Sequence, residues 1–169
     1  DLKKMPVWIQ CKGYLVRDDN MKPLYMIGCI NEIGERQKAD NVSGLLGEKG
    51  FREYMDQQDT PLETGYLLRI GIDHFKEIND NFGQEYGDFV LRKTADCISG
   101  CLSEGQKVYK LVADEFLILD VSSDQVRDAD KLYDKVRAAT DRFIESNEFK
   151  VMYTVSGGIV SFAALEGDR

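Results

Sequence analysis

Several things that would point to a function are scarce in this sequence or missing from it. It has one histidine, His74, in 169 residues, and no Cys-x-x-Cys pair. The four cysteines, Cys11, Cys29, Cys97 and Cys101, lie far from that histidine, so the usual zinc-site spacings are absent. Cys97 and Cys101 are spaced to share one face of a helix, and they read as buried free thiols of a cytosolic protein. No apolar run is long enough to span a bilayer, and there is no signal peptide, so the piece is expected to be soluble and to make no membrane contact of its own. Positive charge is also short: 22 Lys and Arg stand against 30 Asp and Glu, a formal net charge of -8. Such a chain is a poor nucleic-acid binder, because the phosphate backbone repels it. A single nucleotide remains compatible with an acidic protein if metal ions or backbone N–H groups meet its phosphates. Internal repeats and low-complexity runs are absent as well.

What is present is enough apolar sequence, 43%, for one complete domain and part of a second. Residues 7–17 and 24–33 read as two strands, joined by the turn formers Asp18-Asp19-Asn20-Met21-Lys22-Pro23. A hairpin of this kind is marginal alone and needs a sheet or helix to rest on. Residues 34–41 read as a polar linker. A helix is then expected over 45–57, with Leu45, Leu46, Phe51 and Tyr54 on its apolar face, followed by a buried strand over 65–72. Asp73–Gln84 read as polar connection. A helix follows over 85–102, then short strands over 107–112 and 115–120 around a tight turn, a long amphipathic helix over 124–146 and a last strand over 151–162. The order from residue 44, α-β-α-β-β-α-β, predicts an α/β (α+β) domain with a mixed central sheet flanked by helices.

Four ordered motifs between Asp40 and Gly158 resemble the GGDEF family, the catalytic domain of diguanylate cyclases. They are Asp40-Asn41-Val42-Ser43-Gly44-Leu45, then Gly71-Ile72-Asp73-His74-Phe75-Lys76-Glu77-Ile78-Asn79-Asp80, then the signature Val112-Ala113-Asp114-Glu115-Phe116, then Val155-Ser156-Gly157-Gly158. Phe82-Gly83-Gln84-Glu85-Tyr86-Gly87-Asp88 adds the family's Gly-His-x-x-Gly-Asp in altered form. Four motifs in order are far more specific than any one alone. The resemblance implies a nucleotide-cyclase-like fold over 39–169, without the family's last helix. A second, shorter resemblance covers 1–38: Trp8, Gly13, Asp18-Asp19, Pro23, Gly28 and Asn31-Glu32-Ile33 are similar to the last two strands of a PAS sensor domain.

The family joins two GTP molecules into cyclic-di-GMP across a pair of facing domains, with Mg2+ or Mn2+ held by carboxylates. By resemblance, Asn79 and Asp88 meet the guanine, since a carboxylate accepts from the base's N–H groups. Read without the family, the same two residues are a helix cap and a helix-start acid. Lys76 matches the phosphate-facing loop. Asp114 matches the metal-binding catalytic acid and Glu115 the acid beside it. The departures oppose activity. The family's first metal carboxylate falls on Gly71, with Asp73 a weak substitute on the same strand face. Val112 and Ala113 replace paired glycines, and a β-branched valine resists a positive φ. Ser103-Glu104-Gly105-Gln106 stands where the product-inhibition motif Arg-x-x-Asp belongs. Gly47-Glu48 replaces Asn-Arg in the opening motif.

These departures favour a catalytically inactive regulatory or scaffolding module in a bacterial cytoplasm, within a longer membrane-associated protein. It would relay a PAS signal to a second copy of itself or to an EAL phosphodiesterase domain. An active cyclase and a GTP-binding sensor without turnover stay open beside it.

Overall fold

The computed structural model describes residues 9–32, 39–58, 62–122, 126–146 and 151–165. The chain divides into two compact units, Asp1–Lys38 and Ala39–Arg169.

The first unit is an antiparallel hairpin of β1 (Ile9–Arg17) and β2 (Pro23–Glu32), with Tyr14 opposite Ile27 and Leu15 opposite Met26. Its turn is held by Asp18, whose Oδ1 accepts from the backbone N–H of Asn20 and of Lys22. Trp8, Ile33 and the linker over 34–38 lie outside the described residues.

The second unit runs β3 (Leu46–Gly47), α1 (Glu48–Asp56), β4 (Tyr66–Ile72), α2 (Phe75–Phe82), α3 (Gln84–Cys101), β5 (Lys107–Lys110), β6 (Glu115–Asp120), α4 (Val126–Ser146), β7 (Val155–Ser161) and α5 (Phe162–Leu165). Its sheet has the order β3-β5-β6-β4-β7; β3 runs parallel to β5 and the other pairs are antiparallel. This is the mixed sheet flanked by helices that the element order predicts.

Three differences from the sequence reading are physical. Leu45 and Leu46 precede α1 instead of belonging to its apolar face, because Leu46 is drawn into the sheet opposite Tyr109. The stretch after β4, read as polar connection, contains α2. That helix buries Ile78 and packs Phe75 against the core, although most of its residues are polar. The last strand is also shorter than expected, and Phe162–Leu165 turns into α5.

Alternation in β4 separates the two sheet faces. Tyr66, Leu68, Ile70 and Ile72 are buried on the face covered by α3 and α4, where they meet Val90, Ile98, Leu132 and Val136. The opposite face packs Tyr109, Leu117 and Leu119 under α1, with Phe51 edge-on to Tyr109 at 5.4 Å between ring centroids. Gly157 keeps β7 close beneath α4, because a Cβ there would sit 2.8 Å from the Tyr133 ring. Cys101 is buried and Cys97 half-buried; both are free thiols, and burial raises the pKa of each.

Candidate active site and its departures

The signature hairpin joins β5 to β6. Leu111 N–H donates to the Glu115 carbonyl at 2.9 Å and Glu115 N–H to the Val112 carbonyl at 3.2 Å. The left-handed residue of the turn is Ala113, with φ 53°, and not Val112. The expected conflict between a β-branched side chain and a positive φ is therefore avoided: the strain moves to a residue that tolerates it better. Val112 instead projects outward, 69% exposed.

Beneath this turn lies Lys110, 4% exposed. Its Nζ donates to the carbonyls of Leu111 at 2.9 Å and Ala113 at 2.5 Å, and lies 5.2 Å from the centroid of the Phe116 ring. Burial lowers the Lys110 pKa, while the carboxylates of Asp40, Asp114 and Glu115 pull it back up. Asp40 is the second residue of the second unit. Burial alone would raise its pKa, but hydrogen bonds from the Ser43 N–H and hydroxyl, with the Lys110 charge, bring it below the usual value.

The acids are arranged across β4 and β6. Gly71 pairs with Glu115, and a Cβ built on Gly71 would stand 3.8 Å from Asp114 Oδ2. Asp114 thus lies close to the position that the resemblance gives to the first carboxylate, and Gly71 offers no ligand atom there. Glu115 is engaged from the same strand: Arg69 Nη2 lies 2.5 Å from its Oε1. Asp73 falls just beyond the end of β4. Its N–H donates to the Thr154 carbonyl and its Oδ2 accepts from Thr154 Oγ1 at 2.6 Å. It lines a cleft of about 340 Å³ with Glu77, Phe82, Asp141 and Met152. His74 begins α2 at φ 57°, exposed, with Nδ1 3.0 Å from Glu77 Oε1. Among the described residues no group of three or more His, Cys, Asp or Glu is placed to hold a metal ion. The donor set does not fit the Mg2+ or Mn2+ that the family implies: Asp114 has no carboxylate across the strand, and its neighbour Glu115 is already paired.

The positions that the resemblance assigns to the base are better kept. Asn79 sits inside α2 and Asp88 in the second turn of α3, so neither is a helix cap. Gly87 lets the two helices approach: a Cβ on it would overlap Asn79 Oδ1. That oxygen is buried without a hydrogen-bond partner. It is an acceptor left unmet inside the contact between α2 and α3. Asp88 is half-buried and Lys76 lies exposed in the first turn of α2. The residues matched to the product-inhibition motif serve the fold. Gln106 Oε1 accepts from Ser103 N–H at 2.8 Å, and Gln106 Nε2 donates to Asp120 Oδ2 at 2.8 Å.

Sequence reasoning missed Lys110 and Arg69. Arg69 carried a signal, as the one charged residue in the otherwise apolar run Tyr66–Ile72. Lys110 carried none beyond its closeness to the signature.

The model of the diguanylate cyclase GGDEF domain matches residues 37–169. Diguanylate cyclase DgcZ of Escherichia coli is 34% identical over 87 residues, covering 50% of this chain and 29% of DgcZ. Cyclic di-GMP phosphodiesterase PdeR of the same organism is 24% identical over 144 residues, covering 72% of this chain and 22% of PdeR. The chain therefore spans under a third of the length of either relative. Among solved structures, the isolated GGDEF domain of TpbB (YfiN) from Pseudomonas aeruginosa superposes with a TM-score of 0.61 at 28% identity, covering 72% of this chain and 73% of that one. Motif order, sheet topology and the family match over most of its length agree that this chain belongs to the GGDEF family of cyclic-di-GMP signalling domains.

Proposed function

We propose that this chain is a catalytically silent GGDEF domain that acts as a regulatory module in cyclic-di-GMP signalling. The observation that carries the reading is Gly71: Asp114 points at a position that has no carboxylate. Phosphoryl transfer in this fold relies on divalent metal to meet the charge that develops on the phosphates. With one unshared acid at the hairpin, that stabilisation is withheld. PdeR, a relative named for breaking cyclic-di-GMP, shows that GGDEF sequence also occurs in proteins named for hydrolysis.

The hairpin of β1 and β2 is, in this reading, the end of a PAS sensor whose signal the GGDEF domain passes on. Its receiver is a second copy or an EAL phosphodiesterase domain, in the bacterial cytoplasm and within a longer membrane-associated protein. A second reading, a GTP sensor without turnover, is favoured by the unpartnered Asn79 Oδ1 beside Gly87 and by the retained Asp88.

The test incubates the purified chain with GTP and Mg2+ or Mn2+, and follows cyclic-di-GMP by chromatography. No product is expected. Product that disappears on Asp114→Ala would refute the silent reading. Calorimetric titration with GTP then separates the sensor, which gives heat, from the scaffold, which gives none.

A further inference from the structure

The metal implied by the family and the charges at the hairpin disagree, and the disagreement centres on Arg69. Alternation along β4 puts Leu67, Arg69 and Gly71 on one face of the sheet. Gly71 pairs with Glu115 and Arg69 with Leu117, so Arg69 and Glu115 are diagonal neighbours, within reach of a long side chain. Their contact at 2.5 Å joins a guanidinium that is 60% exposed to a carboxylate that is 27% exposed. At that exposure the pair adds little to stability. Its consequence is occupancy. Glu115 carries a resident counter-charge, and a divalent cation approaching Asp114 meets a positive group two residues from the missing ligand.

We propose that Arg69 replaces the divalent cation at the signature hairpin. Gly71 and Arg69 then form one compensated exchange on a single strand face: a carboxylate is lost where metal would bind, and a fixed cation is gained beside the acid that remains. The hairpin carries Asp114 and Glu115 without metal, and a nucleotide that binds here does so independently of Mg2+ or Mn2+. This rests on the reading of a silent site and specifies how the silence is maintained.

The experiment titrates Mn2+ into the full chain without nucleotide, following free Mn2+ by electron paramagnetic resonance. The chains are native, Gly71→Asp, Arg69→Leu/Gly71→Asp and Arg69→Lys/Gly71→Asp. The native chain is expected to bind no Mn2+ up to millimolar concentration. Gly71→Asp should bind weakly, the Leu double variant about tenfold or more tightly than that, and the Lys double variant like Gly71→Asp, because the charge is kept. Equal affinity of Gly71→Asp and the Leu double variant overturns the proposal, as does stoichiometric Mn2+ binding by the native chain. Circular dichroism checks that each variant folds. If the Leu double variant does not, Arg69→Gln/Gly71→Asp takes its place: tighter Mn2+ binding than Gly71→Asp supports Arg69 as the cation, and equal binding refutes it. GTP turnover is measured separately and nucleotide is absent from every Mn2+ titration, so the silent reading and the role of Arg69 can fail independently.

Discussion

Ala113 holds the signature turn at φ 53°, a conformation that costs an L-residue with a Cβ about 1 kcal/mol or more. Two contacts sustain it. Its carbonyl accepts from the buried Lys110 Nζ, and the Val112 carbonyl accepts from Glu115 N–H. Glycine adopts the same angle without strain but loses more freedom on folding, so the two effects partly cancel. Ala113→Gly is expected to raise stability by up to about 1 kcal/mol, read as a higher urea midpoint with an unchanged slope. A lower midpoint would show that Ala113 is not strained. The same site shows what letters alone convey. The motifs identified Asp114, Glu115, Asn79 and Asp88 as family positions. They did not convey that Val112 escapes the positive φ, or that Arg69 reaches Glu115, because both depend on turn type and strand register. A charge inside an apolar strand was the visible trace of Arg69, and its partner became apparent only once β4 and β6 were aligned.

Between elements, Asp120 at the end of β6 is the main polar tie at the edge of the sheet far from the signature turn. It is 3% exposed. Its Oδ1 accepts from the Ser122 N–H and hydroxyl, and its Oδ2 from Gln106 Nε2, which also donates to the Tyr66 hydroxyl on β4. Burial alone would raise the Asp120 pKa, but these donors outweigh it and the net shift is downward. A carboxyl with a depressed folded pKa contributes stability above its unfolded value, near 3.8, and loses it as pH falls through the folded value. Asp120→Asn should therefore cost about 1–3 kcal/mol at neutral pH, with the gap from the native chain narrowing below about pH 4. Urea midpoints across that range check it, and a gap that widens in acid would reverse the sign. Elements with strong periodicity were legible in the sequence: β4, α3 and α4 stand within a residue or two of expectation. α2 was not. It is short, its apolar residues are only Phe75, Ile78 and Phe82, and it starts on His74 with no side-chain cap, so the usual start signal is missing. Leu46 was misplaced because its pairing partner, Tyr109, is distant in sequence.

At the scale of the whole molecule, the two units differ in how they bury apolar surface. Among the described residues, the hydrophobic clusters of the second unit run from Val42 to Phe162. Its core is closed by its own helices over both sheet faces, as an independently folding domain requires. The hairpin is the opposite case. Tyr14, Leu15, Leu24, Tyr25, Met26 and Ile27 are all more than 45% exposed. They lie on both faces of a two-stranded ribbon, since Tyr14 opposes Ile27 and Leu15 opposes Met26 on successive positions. A ribbon of this kind has too little internal burial to offset its chain entropy. Cutting the chain between Lys38 and Ala39 should accordingly leave residues 39–169 folded. The melting midpoint is expected within about 4 °C of the full chain, the shift that about 1 kcal/mol produces in a domain of this size. The 1–38 peptide, by contrast, should show no cooperative unfolding by circular dichroism. A 39–169 fragment that melts far lower, or a 1–38 peptide with its own transition, would mean that the two units share stability, and the hairpin would have to be treated as part of the GGDEF fold instead of as a unit beside it.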